Sequence, residues 1–254
     1  MNTALEAIGI EKRFGAVLAA SNVSLSLGMN EVLGIIGANG AGKTTLLNIV
    51  TGYIQPDSGV IQYQGSDITA LEPRAIARLG IHRSFQIPQI FPQLTVFDNI
   101  LIALGITEGK GKSIWRPLLT RDSIDTAESI LVRYRIGDYR DRHAGFLPQG
   151  VCKLLDIAMA MVGSPSILLL DEPTSGVSAD EKMLMMDTII DVLAGGEVGV
   201  LFVEHDMEVV AHYSSRVIAF SEGEIVSEGV PTEVLNDPKV RGLVIGKDLK
   251  SQSV

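Results

Sequence analysis

The chain has 254 residues, a formal net charge of −9 and 46% hydrophobic residues, enough for one large core or a core with a smaller lobe. The acidic balance argues against a general nucleic-acid binder, which would carry a basic face, and the single Cys152 cannot close an internal disulfide, which fits a reducing compartment. No apolar run reaches the roughly 18–20 residues of a membrane helix, and the start MNTALEAIGIEKRFG has no basic-then-apolar leader, so a cytoplasmic protein is expected that meets a membrane only through a partner.

The first thirty residues alternate. Val23, Leu25 and Leu27 fall on one side of a strand, and Val32–Ile36 forms another that ends in a glycine turn. KTTLLNIVTG predicts a helix with Gly52 as its C-cap. DSGVIQYQGSDI returns to period-two alternation and predicts a hairpin. From Ile100 to Gly145 the spacing is mostly helical. The stretch GITEGKGKSIWRPLLTRDS interrupts it as an exposed loop or short insertion, with Trp115 as a local packing anchor. After Pro165 come a strand (Ile167–Leu170), a helix (about 182–193), a strand (Val200–Val203) and a helix from Met207. That alternation predicts a parallel sheet with covering helices. RVIAFSEGEIVSEG reads as a hairpin through Glu222-Gly223, and the polar tail, 247–254, is expected to fray.

GANGAGKTT, Gly37 to Thr45, matches G-x-x-x-x-G-K-[ST]. Its glycines let the backbone turn tightly so that several N–H groups converge on an anion, and the helix that follows adds its positive end. Gly37, Asn39, Gly40, Gly42, Lys43, Thr44 and Thr45 are the candidate phosphate cradle. In it, Lys43 would reach the β- and γ-phosphates and Thr44 would hold Mg²⁺. ILLLDEPTSG supplies a second site: a buried strand with Asp171 and Glu172 at its C-terminal end, where ligands bind in open α/β sheets. Asp171 is placed for Mg²⁺ and Glu172 to polarise a water. Two acids at a strand end can also be solvated turn residues, but a phosphate loop on a neighbouring strand disfavours that. In LFVEHD, His205 follows another buried strand. A lone histidine there is more often structural, yet a parallel sheet would set it beside Asp171 and Glu172.

Together these segments resemble the ATP-binding cassette family of ATPases, over almost the whole chain. The resemblance implies an α/β fold: a P-loop NTPase core with an N-terminal antiparallel β subdomain and a helical subdomain at about 87–163, in a single domain 1–254. RSFQ resembles the Q-loop, which brings Gln86 to Mg²⁺ and the attacking water. FVEHD is similar to the switch-histidine segment and gives that role to His205. KRFG offers Phe14 to adenine, although from composition alone Phe14 would be core. TSGVSADE resembles the D-loop, with Gly176, Val177 and Ser178 near a partner subunit. EHDMEVV, SEGVPTEVLNDPKVRGLVIG and the insertion look like the ATPases of branched-chain amino-acid-type importers. Those of lipopolysaccharide exporters look much alike. The resemblance further implies ATP and Mg²⁺, a second and different cassette, transmembrane permease subunits, and a place on the cytoplasmic face of the inner membrane.

In that family two cassettes pair head to tail, and a signature loop near L-S-G-G-Q reaches the partner's ATP. Here the aligned residues are Leu147, Pro148, Gln149, Gly150 and Val151. Proline suits a first helical turn, but the position loses a hydroxyl and a backbone donor. The expectation is a mixed dimer with one strong and one weak site. A weakly hydrolysing clamp or regulator is the alternative that LPQGV favours and Glu172 opposes. Repair or translation ATPases of this family carry tandem cassettes or coiled-coil insertions, and the sequence has neither. After Gln86, the apolar Ile90, Phe91, Leu94 and Phe97 are either a groove for a permease's coupling helix or ordinary core.

Overall fold

The computed structural model describes residues 3–107 and 120–245; Trp115, most of the expected insertion and the tail 247–254 lie outside the described residues. The chain divides into two compact units, one built from Met1–His82, Ser166–Glu172 and Glu197–Val254, the other from Arg83–Pro165 and Pro173–Gly196.

The first unit holds two sheets. β1 (Thr3–Phe14), β2 (Val17–Gly28), β4 (Ser58–Tyr63) and β5 (Ser66–Asp67) form the antiparallel sheet, in the order β2-β1-β4-β5. The other sheet runs β10-β9-β3-β8-β7-β6, with β3 at Val32–Gly37, β6 at Ile81–Ser84, β7 at Ile167–Asp171, β8 at Gly199–Val203, β9 at Arg216–Ser221 and β10 at Glu224–Gly229. β3 pairs in parallel with β8 and β9, and β8 pairs in parallel with β7. β8 therefore lies between β3 and β7, and the two motif-bearing strands are not neighbours as the sequence suggested. Three apolar runs of similar length carry no mark of their order in a sheet.

Every residue of β7 and β8 is buried, the pattern of parallel strands covered on both faces. Leu33, Ile35, Ile167, Leu169, Leu201, Val203, Ile218 and Phe220 share one core with Leu5, Ile10, Val23, Leu25 and Leu27 of the antiparallel sheet. Helix α1 (Lys43–Val50) adds Leu46, Leu47, Ile49 and Val50 to it. Burial of each such side chain is worth about 1.5–3 kcal/mol. Thr51 is the C-cap of α1 and Gly52 follows at φ 74. The expected glycine stop is thus one residue beyond the cap, where the left-handed turn needs it. Short helices α2 (Pro73–Arg78), α7 (Met207–Tyr213), α8 (Pro231–Val234) and α9 (Pro238–Val240) complete the unit.

The second unit is helical: α3 (Val96–Thr107), α4 (Arg121–Arg133), α5 (Gln149–Met161) and α6 (Ala179–Leu193). α4 buries Ser123, Ala127 and Leu131, one residue per turn, and starts at a reciprocal cap between Thr120 and Ser123. α6 begins earlier than the periodicity suggested: Ser178 occupies the N-cap position, its hydroxyl bound to Glu181 and not to a backbone N–H, and Asp180 and Glu181 complement the helix dipole in the first turn. Phe97 is core, with the Arg140 guanidinium 4.0 Å from its ring centre. Ile90 and Leu94 are half-buried. Phe91, by contrast, is 43% exposed. Its backbone is held at both ends by the buried Asn99, whose Oδ1 accepts from Phe91 N–H at 2.7 Å and whose Nδ2 donates to the Phe91 carbonyl at 3.1 Å. The four apolar residues therefore divide between core and surface.

In the first unit, the Glu31 carboxylate accepts hydrogen bonds from Gly28 N–H at 2.7 Å and Arg216 Nε at 2.6 Å. Arg216 also donates to Glu228 and to the Ser26 carbonyl, so one ion cluster ties β2, β9 and β10 to the residue just ahead of β3. Burial pushes the Glu31 carboxyl up, but the hydrogen bonds from Arg216 and Gly28 outweigh it and hold the group below its ordinary 4.5. A depressed carboxylate contributes stability that is complete above pH 4.5 and is lost as pH falls through the lowered value. Glu31→Gln is expected to lower Tm by roughly 3 °C at pH 7. In thermal melts across pH, the gap to the unaltered chain closes on the acid side.

Candidate active site

β3 delivers the chain into the Gly37–Gly42 loop, and each end of that loop touches another backbone. A Cβ on Gly42, which has φ 108, would lie 2.1 Å from the Ala19 carbonyl oxygen, and one on Gly37 would lie 2.4 Å from that of Phe220. Only glycine fits either place. Gly42 is also the N-cap of α1 and has no side chain to cap it, so the first-turn N–H groups, which lack partners inside the helix, face the loop. The turn between β9 and β10 braces the loop from outside: Gly223 N–H donates to the Ala41 carbonyl at 2.9 Å, and Ser21 N–H to the Gly223 carbonyl at 2.8 Å.

Lys43 is buried and its ammonium turns back over the loop, donating to the carbonyls of Gly37 and, at 3.0 Å, of Ala38. Asn39, Gly40 and Thr44 are exposed, and Thr45 is half-buried. The result is a concave backbone surface with a cation at its rim and a hydroxyl on the first turn of a helix. Such a surface suits a group bearing several anionic oxygens.

Asp171 ends β7, is buried, and lies opposite Val203 in the register with β8. Glu172 follows with φ 49. The left-handed region costs a non-glycine residue about 1–2 kcal/mol, and here the Glu172 N–H bond to the Val203 carbonyl, 2.9 Å, holds it. That bend turns the carboxylate across to the next strand, where Glu172 Oε1 lies 2.6 Å from His205 Nε2. His205 N–H is in turn bound by Glu204 Oε2 at 3.1 Å, and Glu204 is buried. The expected neighbourhood of His205 is therefore real, and its direct contact is with Glu172. The pair is open to solvent at one side, with side-chain exposures of 14% for Glu172 and 31% for His205. A carboxylate held against an imidazole in this way can orient a water and accept its proton. Phe14, at the end of β1, is 48% exposed with the Lys12 ammonium 5.7 Å from its ring centre. It is a surface aromatic and not core.

The second unit carries the remaining predicted residues. Gln86 is exposed just beyond β6, and its carbonyl accepts from the Lys153 ammonium. Pro148 has φ −57 and ψ 150 and is the N-cap of α5. It sits one position ahead of the first helical turn expected from the sequence, because its extended ψ leaves only its carbonyl in the helix, accepting from Cys152 N–H at 3.0 Å. Pro148 and Gln149 are exposed, and Leu147 and Gly150 are half-buried. Gln149 lies flat on Gly176: a Cβ there would be 2.8 Å from Gln149 Nε2, at a residue with φ 77. A Cβ on Gly150 would meet Val177 at 3.7 Å. Ser178 donates to Glu181 Oε2 at 2.7 Å. Leu147–Gly150 and Gly176–Ser178 thus form one continuous surface of this unit, a meeting that nothing in their sequence spacing announces. Lys153 and Asp156 were also not singled out from sequence; two charges three residues apart inside the apolar run CKLLDIAMAM were the signal.

Residues 20–175 match the family described as ABC transporter. The chain is 34% identical over 245 residues to the high-affinity branched-chain amino acid transport ATP-binding protein LivG of Salmonella typhimurium, covering 94% of this chain and 96% of that protein. It is 32% identical over 249 residues to the corresponding protein BraF of Pseudomonas aeruginosa, covering 96% and 98%. Among solved structures, a nucleotide-free ATP-binding cassette from an ABC transporter superposes with a TM-score of 0.83 at 31% identity, covering 95% of this chain and 98% of that one. An ATP-binding cassette of an ABC transporter in its ADP conformation gives 0.84 at 30% identity, covering 97% and 100%. Likeness of this extent takes in both sheets and the helical unit, and the chain belongs to the ABC transporter family.

Proposed function

We propose that this chain is the ATP-hydrolysing subunit that powers uptake of branched-chain amino acids or related small solutes through a separate permease, as a peripheral protein on the cytoplasmic face of the cell membrane. The observation that carries the hydrolytic part is the 2.6 Å contact between Glu172 and His205 at the ends of adjacent parallel strands, with the Lys43 loop on the next strand of the same sheet. The importer branch is supported by the relatives LivG and BraF. No helix among the described residues is long and apolar enough to cross a membrane, so the path for solute belongs to the partner.

In this reading the amides from Gly37 to Thr45 bind the triphosphate, and Lys43 leaves the carbonyls of Gly37 and Ala38 for phosphate oxygens. Phe14 stacks on adenine. Glu172 polarises the attacking water, and His205 holds the Glu172 carboxylate in position and contacts the γ-phosphate. The Thr44 hydroxyl, on the first turn of α1, and the Asp171 carboxylate, at the end of β7, are hard oxygen donors, a set that fits Mg²⁺. Gln86 is the further oxygen donor that the family resemblance implies for the ion. The ion, when bound, neutralises charge developing on the transferred phosphoryl group.

Leu147, Pro148, Gln149 and Gly150 serve the nucleotide of a second cassette, beside Gly176, Val177 and Ser178. Pro148 supplies neither hydroxyl nor N–H, and loss of one donor to developing charge costs about 3 kcal/mol, or roughly a hundredfold in rate. The N-terminus of α5 keeps the amides of Gln149 and Gly150 for the same task. A dimer with a different cassette then has one strong and one weak site.

Lys43→Ala is expected to weaken MgATP binding at least a hundredfold, measured by calorimetry, whereas Glu172→Gln keeps the affinity and lowers kcat by 10²–10⁴-fold. Unchanged binding in the first variant would remove the basis of this reading. Pro148→Ser is expected to raise phosphate release roughly tenfold or more when the chain pairs with itself. In a pair with its neighbouring cassette, the site built on this chain's own loop and the partner's signature gains nothing. Equal rates in all combinations would overturn the mixed-dimer assignment.

A further inference from the structure

One buried charge cluster in the helical unit has no part in the roles above. Lys153 is fully buried on α5 and Asp156, on the same helix, is 6% exposed. Lys153 Nζ donates to the Gln86 carbonyl. Asp156 accepts from Ser84 Oγ through Oδ2 and from Gln89 N–H at 2.7 Å through Oδ1. Both sides of Gln86 are thus fastened: its own carbonyl to Lys153, and the residues two before it and three after it to Asp156. Burial pushes the Asp156 carboxyl up against the hydrogen bonds of Ser84 and Gln89 and the nearby charge of Lys153. Taking two charges out of water costs several kcal/mol each before their partners offset it, and an apolar pair would fill the same helix face without that cost. Pro148 to Gly150 lie one turn ahead on the same helix.

We infer that Lys153 and Asp156 are positioning residues, which hold the backbone around Gln86 to the first turns of α5 so that Gln86 and the Leu147–Gly150 loop are carried as one piece. The inference rests on the role of Gln86 proposed above and extends it to the residues that aim it. With the carbonyl of Gln86 held, and the Ser84 hydroxyl and the Gln89 N–H bound to a buried carboxylate, the backbone about this residue is set, and the amide leaves that backbone along one direction. The same clamp makes any displacement of the 84–89 segment a displacement of the α5 N-terminus. Buried charges held in this way suit such coupling, because partial separation from their partners carries a high cost.

The test is steady-state ATP hydrolysis by the full-length chain with its partner cassette and permease, comparing Lys153→Met, Ser84→Ala and Gln86→Ala, alone and with Gln86→Ala combined with each of the others. Lys153→Met removes the donor to Gln86 at nearly constant length. Ser84→Ala deletes one contact to Asp156 and leaves the charge pair whole, so it reports even if Lys153→Met fails to fold. The expected result is a fall in kcat of roughly tenfold for Lys153→Met and about threefold for Ser84→Ala, with KM for ATP within about twofold. Neither substitution should lower kcat further once Gln86 is alanine. A purely structural role would instead lower Tm and leave kcat per folded molecule unchanged, or multiply with Gln86→Ala; either outcome overturns the inference while Gln86 keeps its role. If Gln86→Ala alone leaves kcat intact, the role of Gln86 falls first and the positioning role with it.

Discussion

The parallel register of β3, β8 and β7 is the constraint on which the site depends. Val32 is paired with Val200, and Ile167 with Gly199, so Asp171 stands level with Val203, and the three strands run out toward one edge, β3 two residues farther, to Gly37. From that common edge the chain enters the Lys43 loop, the Glu172 bend and the His205 turn. A slip of one residue in β7 would move Asp171 to the opposite face of the sheet and send Leu170, which nothing there can use, toward the loop. The buried apolar side chains on both faces prevent the slip, because each displaced residue would exchange packed neighbours for gaps. Chemistry at the edge is therefore fixed by packing several residues away from it.

Much of this was legible in the sequence because it is local. The G-x-x-x-x-G-K-T pattern, the apolar run ending in Asp171-Glu172 and the run ending before His205 each name a strand, a turn and its functional group within about ten residues. The place of His205 beside Glu172 also followed, since parallel strands bring equivalent ends together; their direct contact did not. What did not follow was long-range. β8 stands between β3 and β7, and no residue type records sheet order. Phe97 and Phe91 are both apolar, yet one is core and the other surface, with its backbone bound to the side chain of Asn99. Pro148 is an N-cap rather than a first-turn residue because of its ψ, which proline leaves open while it fixes φ. The early start of α6 was readable after all: Ser178 and Glu181 have the S-x-x-E spacing of a helix start.

The two units treat buried cations alike. Lys43 and Lys153 each turn an ammonium onto a backbone carbonyl, that of Gly37 in one case and of Gln86 in the other. The difference is in what can replace that carbonyl. Lys43 sits at the rim of a concave set of amides where anionic oxygens can compete for it. Lys153 is fully enclosed, with a carboxylate on its own helix, and has nowhere to go. The same bond is an exchangeable contact in the first unit and a fixed joint in the second.

The bend at Glu172 carries a consequence for how this protein can be made hardier. With φ 49, the residue occupies a conformation that glycine or asparagine would adopt with less penalty, by about 1 kcal/mol. Random variants ranked by heat resistance alone would therefore favour loss of the carboxylate, and on the role proposed above for Glu172 such variants would be silent as catalysts. Robustness and turnover pull in opposite directions at this one backbone angle, so any programme of stabilisation has to exempt it and draw its gains from the outer strands and helix ends.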